Sequence, residues 1–474
     1  MPNSIFWFRR DLRLGDNPGL VEAAKLGKVL CVYIFEDRKQ NAADFSELGS
    51  GTKAWLHYAL DSLNKTLGGK LFLARGNPLD VLKDVAQKAS SKNVFCNHIY
   101  EPMEMEMESH IIKELKSSAG ITLRSFNSSL LWEPQNILQQ NGKPYKIFTH
   151  FYKKGCLNYG EPRSPLVEPS NLNLLQLNDT LTLEDLQLLS KDSPNLTVNE
   201  WNISEKGANE RLESFLQNGL DNYKIGRDFP SQHHVSRLSP YLRFGQISPN
   251  IIWYAARKVG TPGPDLDHFS SELGWREFSV YLLHHWPHIP RESFNPNFKG
   301  FPWKDDEKAL AAWKEGRTGV PIVDAGMREL LQTGYMHNRL RMIVASYLVK
   351  NLMIHWHRGE DWFWDKLLDA DLASNSASWQ WVVGCGADAA PYFRIFNPIL
   401  QSEKFDPEGV FIRKYVPELT NVPTKHLFAP WEATDTVMKN AGVIMGKTYP
   451  RPLVDFKKSR QAAQDAFDKM NNKG

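Results

Sequence analysis

The sequence predicts an α/β doubly wound N-terminal domain followed by an all-α C-terminal domain. Over the first 130 residues, short apolar runs of strand length alternate with helix-length segments, which is the pattern of a parallel sheet with helices on its faces. From Trp201 onward, the apolar residues recur almost entirely at helical spacing. A polar passage at residues 161–199, rich in Pro, Leu and Asn, lies between the two patterns. We therefore expect domains at residues 1–130 and 201–474, joined by an interdomain connector at 131–200.

The strands of the first domain are recognised by their continuous apolar character. Residues 5–8 and 29–35 are runs typical of strands that are covered on both faces. The other predicted elements are, in chain order, helix 20–24, helix 51–67, strand 71–74, helix 78–89, strand 94–97, helix 104–117 and strand 121–123. The turn after the first strand lacks the pattern Gly-x-Gly-x-x-Gly, so a Rossmann dinucleotide site loses its main support.

The second domain is predicted to be a set of helices rich in aromatic residues. Gly, Pro and Asn breaks separate helix-length segments at 269–285, 322–333, 338–357 and 360–370. Ten of the fifteen tryptophans lie between Trp253 and Trp381. Core packing is the ordinary explanation for an indole, but this concentration leaves a redox or stacking role open.

Composition excludes several classes of protein. With 42% hydrophobic residues and a net charge of +3, the chain is neither disordered nor broadly basic, so any nucleic-acid surface must be local. The longest apolar stretch, at 342–356, is shorter than the ~20 residues that a bilayer requires, and no secretory signal is visible. Four scattered cysteines without a C-x-x-C pair disfavour a disulfide scaffold and a metal site. We expect a cytoplasmic protein.

Two polar clusters on predicted helices point to chemistry. One helical face carries Asn338, Arg341 and Met342, and another carries Asp371 and Asn375 at a spacing of four. Polar groups on a buried face are costly unless they meet polar partners. The ordinary alternatives are a helix cap beside a surface arginine and a solvated helix start.

Six segments, in order along nearly the whole chain, resemble the photolyase/cryptochrome family. They are Phe-Arg-Arg-Asp-Leu-Arg at 8–13, Ser-Arg-Leu-Ser-Pro-Tyr-Leu at 236–242, Glu-Leu-Gly-Trp-Arg-Glu-Phe at 272–278, Thr-Gly-Val-Pro-Ile-Val-Asp-Ala-Gly-Met-Arg at 318–328, Met-His-Asn-Arg-Leu-Arg-Met at 336–342 and Ala-Ala-Pro-Tyr-Phe-Arg-Ile-Phe-Asn-Pro at 389–398. Within the family, the chain resembles most the class I-type cyclobutane pyrimidine dimer DNA photolyases.

The resemblance implies an antenna domain at 1–130 and a helical catalytic domain at 201–474 that binds FAD and DNA. It implies a deoxyribodipyrimidine photo-lyase, a carbon–carbon lyase in which light-excited reduced FAD transfers an electron to a flipped-out cyclobutane pyrimidine dimer and splits it. The expected partner is UV-damaged DNA, and the expected protein is a bacterial-type cytoplasmic monomer without a membrane anchor or a metal.

The resemblance also assigns residues to FAD, which are Tyr223, Val235, Ser236, Arg237, Leu238, Ser239, Glu272, Arg276, Asn338, Arg341, Asp369, Asp371 and Asn375. Hydroxyls and backbone N–H groups at a turn suit a diphosphate, although Val235 stands where the family usually has threonine. Asn375 matches the residue that faces the flavin N5, where an amide can both donate and accept a hydrogen bond.

For the lesion and DNA, the matching residues are Arg227, Glu272, Trp275, Asn338, Arg339, Met342, Trp381 and Arg394. Indoles could replace the stacking that a flipped dimer loses, which is worth ~1–3 kcal/mol per base. Trp303, Trp356 and Trp379 match the electron-transfer chain of the family. Each of these three alone would be interpreted as core.

Several alternatives stay open beside this interpretation. A blue-light receptor of the cryptochrome type without repair activity is the main alternative, although no long tail follows 458–474. The (6-4) photoproduct branch has a histidine-rich segment that Asn338 and Met342 do not resemble, and a nucleotide-binding transferase would leave the aromatic half unexplained. For the antenna, Glu104 matches a folate-binding position but Met103 replaces the usual asparagine. Methenyltetrahydrofolate, a deazaflavin or no antenna therefore all remain possible.

Overall fold

The N-terminal half of the computed structural model is a five-stranded parallel sheet in the order β3-β2-β1-β4-β5. The model describes residues 2–36, 45, 47–194, 196, 201–389 and 393–471. The elements of this half are β1 Ser4–Phe8, α1 Pro18–Ala24, β2 Val29–Phe35, α2 Ser50–Thr66, β3 Leu71–Arg75, α3 Pro78–Lys88, β4 Asn93–Asn97, α4 Pro102–Ala119 and β5 Thr122–Phe126. This is the doubly wound topology that the alternating pattern predicts.

Helices dominate the remainder of the described chain. They are α5 Leu157–Tyr159, α6 Glu205–Asn218, α7 Tyr223–Gly226, α8 Ser239–Arg243, α9 Pro249–Val259, α10 Pro264–His285, α11 Glu307–Lys314, α12 Pro321–Thr333, α13 Asn338–Ser346, α14 Trp356–Lys366, α15 Leu372–Val383, α16 Pro398–Phe405, α17 Val410–Tyr415, α18 Thr424–Leu427, α19 Asp435–Asn440 and α20 Phe456–Asn471. Two π-helical turns add to them, at His150–Cys156 and Tyr347–Asn351. None of the helices described is long and apolar enough to cross a bilayer.

The two faces of the sheet pack against different partners. Ile5 and Trp7 belong to an apolar cluster with α3 and α4, whereas Phe6 and Phe8 belong to a cluster that continues into the helical half. Successive residues of a strand point to opposite faces, so a continuous apolar run buries both. One core therefore extends from the sheet into the helices.

A buried arginine joins the halves near the end of β1. Arg13 donates from Nη1 to the carbonyl oxygen of Gly245 and from Nη2 to that of Ser128, both at 2.8 Å. Gly245 has φ +64°, and a Cβ there would lie 2.1 Å from the carbonyl oxygen of Arg10. Only glycine combines this backbone conformation with so close an approach, which brings the loop after β1 against the end of α8.

The predicted helix at 338–357 is wrong, because the structure interrupts it. After α13 the chain forms a π-turn, Met353 adopts φ +57°, and α14 begins at Trp356 with His355 as its N-cap. The stretch contains no Gly or Pro, so composition alone gives no sign of the break. The helix predicted at 360–370 is the second part of α14 and ends at Lys366, because Leu368 donates its N–H to Gly334 instead.

Three other predictions are adjusted by strand pairing and packing. The strand predicted at 121–123 runs instead from Thr122 to Phe126, because that is the stretch paired with β4. The helix predicted to begin at 269 begins at Pro264. The polar passage packs along the sheet, where Leu174 pairs with Val29, and part of it, residues 195 and 197–199, lies outside the described residues.

Candidate active site

A cavity of about 330 Å³ lies where the sheet half meets the helical half. It brings together twelve of the thirteen residues predicted for FAD, which are Tyr223, Val235, Ser236, Arg237, Leu238, Ser239, Glu272, Arg276, Asn338, Arg341, Asp369 and Asp371. The loops after β1, β4 and β5 contribute Arg10, His98, Ile99, Tyr100, Glu101, Ser129 and Leu130. These residues of the sheet half were not predicted, because the motifs assigned to FAD all lie in the helical half.

One wall of the cavity is the turn that leads into α8. Arg237 adopts φ +52°, and its guanidinium lies 4.4 Å from the ring centroid of Trp201 and 4.8 Å from that of Tyr335. Its Nε is buried and has no hydrogen-bond partner. Ser239 donates its hydroxyl to Oδ2 of Asp369 at 2.6 Å. The turn therefore presents the guanidinium of Arg237 with an N–H donor, at Nε, that no protein group accepts.

Arg341 and Asp369 form an ion pair in a second wall. Nη2 of Arg341 lies 2.8 Å from Oδ2 and 3.1 Å from Oδ1 of Asp369, and Nε donates to the carbonyl oxygen of Met336. Burial alone would lower the pKa of Arg341, but the charge and hydrogen bond of Asp369 raise it. Asp369 and the Met336 carbonyl therefore hold the Arg341 guanidinium in a fixed orientation.

Asp371 is the N-cap of α15 and carries a charge at the edge of the cavity. Its side chain accepts from the backbone N–H of Ser374 at 2.9 Å. Burial opposes its charge, but Arg243, the Ser374 N–H, Arg276 and Arg10 together lower the pKa of Asp371. Arg243 is itself buried, which lowers its pKa to about 10, and its Nη2 has no hydrogen-bond partner.

These side chains fit a dinucleotide that carries phosphates. Six arginines line the cavity, which are Arg10, Arg227, Arg237, Arg243, Arg276 and Arg341. Buried donors without a partner are rare, because each costs about 1–3 kcal/mol. The free Nε of Arg237 and Nη2 of Arg243 are therefore well suited to an anionic ligand.

Asn375 is the predicted FAD residue that does not line the cavity. It is buried one turn after Asp371, and its Nδ2 donates to the carbonyl oxygen of Glu360 on α14 at 3.1 Å. Its neighbours Ala373 and Ser374 do line the cavity. Among the described residues, no group donates to Oδ1 of Asn375.

Two of the arginines that were predicted to contact DNA form ion pairs. Arg227 forms a fork with Glu272, in which Nη2 lies 2.9 Å from Oε2, and Arg227 also contacts His268. Arg339 donates to Asp228 at 2.6 Å and lies over the ring of Phe405. The structure therefore places both arginines against carboxylates, while Arg394 lies exposed.

Trp275, Met342 and Trp381 are partly exposed and do not line the cavity. They lie on α10, α13 and α15, and α15 packs against both of the other helices. One face of Trp275 is stacked on Phe148 at 3.9 Å and 11° between ring planes. Phe148 was not predicted, and no motif marks it. The stacking leaves at most one face of Trp275 for a ligand.

The three predicted electron-transfer tryptophans lie along α14 and its neighbours. Trp356 begins α14, and Trp379 on α15 packs against Gly359 one turn further on. Both are buried, whereas Trp303 is partly exposed. The rings of Trp303 and Trp356 both contact the ring of His355.

A second cavity of about 480 Å³ lies between the halves and is lined by Glu104 and Met103. Arg9 donates to Glu104 and to Glu108, each at 2.6 Å, inside the protein. Arg291 and Trp364 complete its helical side. Within the described ranges, no three metal-binding side chains form a group, and all four cysteines are buried and free.

Comparisons with known proteins extend over both halves. Residues 4–169 match the family model described as DNA photolyase, and residues 269–469 match the FAD binding domain of DNA photolyase. A deoxyribodipyrimidine photo-lyase of Agrobacterium fabrum is 42% identical and covers 98% of this chain and 97% of its own length. Cryptochrome-1 of Arabidopsis thaliana is 34% identical over 98% of this chain and 70% of its own length.

A solved structure is similar along the entire chain. It is a bacterial class III photolyase from Agrobacterium tumefaciens, which is 41% identical and superposes with a TM-score of 0.94. The alignment covers 100% of this chain and 98% of that one.

Proposed function

The chain belongs to the photolyase/cryptochrome family, and from this premise we propose that it repairs DNA as a light-driven deoxyribodipyrimidine photo-lyase. The observation that carries the proposal is the cavity in which twelve of thirteen residues expected for FAD lie together. The similarity to photo-lyases over 98% of the chain supports the same activity. When bound, reduced FAD supplies the light-excited electron that opens the cyclobutane ring of the dimer and afterwards receives it back.

For the cofactor, we propose that different parts of the cavity bind different parts of FAD. The turn Val235–Ser239 and the guanidinium of Arg237 would hold the phosphates, because hydroxyls, N–H groups and a free Nε converge there. The Arg341–Asp369 pair would lie beside the ring system, and Asp371 would meet its polar edge. Asn375 would offer Oδ1 to the redox-active edge, because its Nδ2 is already used by Glu360.

For the lesion, we propose that the free face of Trp275 and the ring of Trp381 stack on the flipped dimer. Glu272 and Asn338 would hydrogen-bond the exposed base edges. The Arg227–Glu272 and Arg339–Asp228 pairs would then exchange partners, because phosphates on the DNA can replace the carboxylates. Arg394 would contact a flanking phosphate. Such contacts position a strand without selecting its sequence.

For electron supply, we propose the order Trp303, Trp356, Trp379 from the surface inward. Trp303 is the partly exposed member, so an external donor reaches it first. The second cavity is a suitable antenna site for methenyltetrahydrofolate or a deazaflavin, since it is lined by Glu104, by aromatic rings and by both halves of the chain.

The photolyase class, the domain limits and the location in the cell are finer parts of the proposal. The expected class I type is a narrower statement than the comparisons support, since a similar solved structure is described as class III. We propose domain limits of 1–130, 131–200 and 201–474, together with a monomer acting in the cytoplasm.

The test is dimer splitting by the purified chain. Chemically reduced and illuminated protein should restore monomeric pyrimidines in irradiated oligothymidine, and protein kept in the dark should not. Trp303→Phe should still repair when chemically reduced, but it should lose photoreduction by an external thiol. Flavin binding without any dimer splitting would instead assign the chain to the blue-light receptors, which is the alternative that the cryptochrome similarity supports.

A further inference from the structure

The segment before α14 places an imidazole in contact with two of the proposed electron-transfer indoles. The ring centroid of His355 lies 5.1 Å from that of Trp303 and 5.8 Å from that of Trp356. The second contact is nearly parallel, with 22° between the ring planes. Among the ring contacts of the described residues, none joins Trp303 directly to Trp356. The imidazole is the ring that touches both.

Helix capping alone does not require this ring. Nδ1 of His355 accepts the backbone N–H of His357 at 3.2 Å, which caps the N-terminus of α14. Ser, Thr, Asp and Asn are the usual residues for that task, and none of them is aromatic. The cap therefore explains why an acceptor stands at this position, but it does not explain why an aromatic ring contacts both indoles here.

The surroundings keep the imidazole uncharged. Burial lowers the pKa of His355 against the opposing effect of Asp361, and it lowers the pKa of His357 to about 3, with His355 and Arg291 adding to that effect. A neutral ring next to Trp356 does not repel a positive charge on that indole, whereas an imidazolium at the same distance would.

We infer that His355 is a bridging residue of the electron-transfer chain, whose ring provides the contact between Trp303 and Trp356. In this step one electron leaves the indole of Trp303 and fills the hole on Trp356, so Trp303 is oxidised and Trp356 is restored. The Nε1 proton of Trp303 leaves to solvent, because that residue is partly exposed. An external thiol then returns an electron and a proton to Trp303, which restores the indole and leaves a thiyl radical on the thiol. The imidazole itself is neither oxidised nor reduced, and the inference rests on the proposed function of the three tryptophans.

The chain offers a matched pair of variants that separates the bridge from the cap. His355→Asn keeps an N-cap acceptor and removes the ring, whereas His355→Phe keeps a ring and removes the acceptor. The holoprotein with oxidised flavin is excited by a laser pulse, and the tryptophan radical is followed by transient absorption. Thermal unfolding of each variant reports the state of the α14 cap independently.

If His355 is a bridging residue, His355→Asn should have a melting temperature close to that of the parent protein but should form the Trp303 radical several-fold more slowly. His355→Phe should melt earlier but transfer the electron at close to the parent rate. If His355→Asn forms the Trp303 radical quickly and His355→Phe slowly, His355 is only a helix cap and the inference is overturned. Equal rates of radical formation in the parent and both variants would also overturn it, and so would an equal decrease of the rate in both variants. Trp303→Phe is the separate control. If photoreduction survives in that variant, the proposed chain itself is wrong, whatever His355 does.

Discussion

At the scale of single residues, Asn375 offers a change of one atom that tests the cofactor chemistry. Asn375→Asp replaces the Nδ2 donor, so the hydrogen bond to the Glu360 carbonyl becomes a contact between two oxygens. We expect the variant to bind FAD but to retain the fully reduced state less well and to repair less. Absorption spectra give both the flavin content and its redox state. Loss of FAD from a folded variant would place Asn375 in a different role.

His337 determines part of the response to acid. It is buried at the N-cap of α13, and burial, with Arg227 adding to the effect, lowers its pKa to about 3 from 6.5. Because the unfolded chain takes up a proton that the folded protein excludes, the free energy of unfolding should fall as pH drops from about 6.5 towards 3. The fall is at most about 1.4 kcal/mol per pH unit.

His337→Asn keeps the cap acceptor and cannot titrate, so its urea midpoint should depend less on pH than that of the parent. The comparison is made at neutral and at mildly acidic pH. An unchanged acid response would mean that other groups, such as His357, carry it.

At the scale of elements, the packing of α14 on α15 depends on a glycine. A Cβ on Gly359 would lie 2.1 Å from Cη2 of Trp379. Gly359→Ala should therefore destabilise the protein by about 1–3 kcal/mol through overpacking, although alanine is the better helix former. The displaced indole should also slow photoreduction.

Gly326→Ala on α12 is the matched control for this variant. Its nearest neighbour would be Cγ1 of Val344 at 3.0 Å, so the overlap is much smaller than at the 2.1 Å approach of Gly359. Melting temperatures should fall for Gly359→Ala and change little for Gly326→Ala. Equal changes of the melting temperature in both variants would show that the Trp379 indole can shift without loss of stability.

Elements in the sheet half were predictable, because each strand is a buried apolar run between clear breaks. The interruption before α14 was not, because it depends on a positive φ at Met353 and on the cap of His355, and neither residue type normally ends a helix. The stacking of Phe148 on Trp275 was not predictable either, because the two residues lie far apart in sequence.

At the scale of the whole molecule, the motifs predicted the helical side of the cavity but not the contribution of the sheet. Arg10 belongs to a motif that was recognised, and yet nothing in its spacing shows that it lies beside Asp371 and Arg243. That proximity depends on how the two halves pack, through Gly245 and Arg13, and not on local pattern.

Binding to damaged and undamaged DNA should distinguish residues that contact the lesion from residues that contact the strand. Trp275→Ala should cost ~1–3 kcal/mol in binding damaged DNA and leave undamaged DNA nearly unaffected, because it removes stacking. Arg394→Ala should weaken both and reduce the salt slope by about one unit, because it removes one phosphate contact. Isotherms on both DNAs at several salt concentrations measure these effects. Equal losses on both DNAs for Trp275→Ala would remove this residue from the lesion pocket.

The helical half buries the sheet face that is formed by Phe6 and Phe8. The stability of each half therefore depends on the other half. Neither half can melt alone without exposing apolar surface of the other to water. The chain should therefore unfold in a single calorimetric transition whose van't Hoff and calorimetric enthalpies agree, despite its two-part topology. An isolated sheet half would present its uncovered face as an aggregation surface, so the sheet half and the helical half could not be exchanged as independent modules.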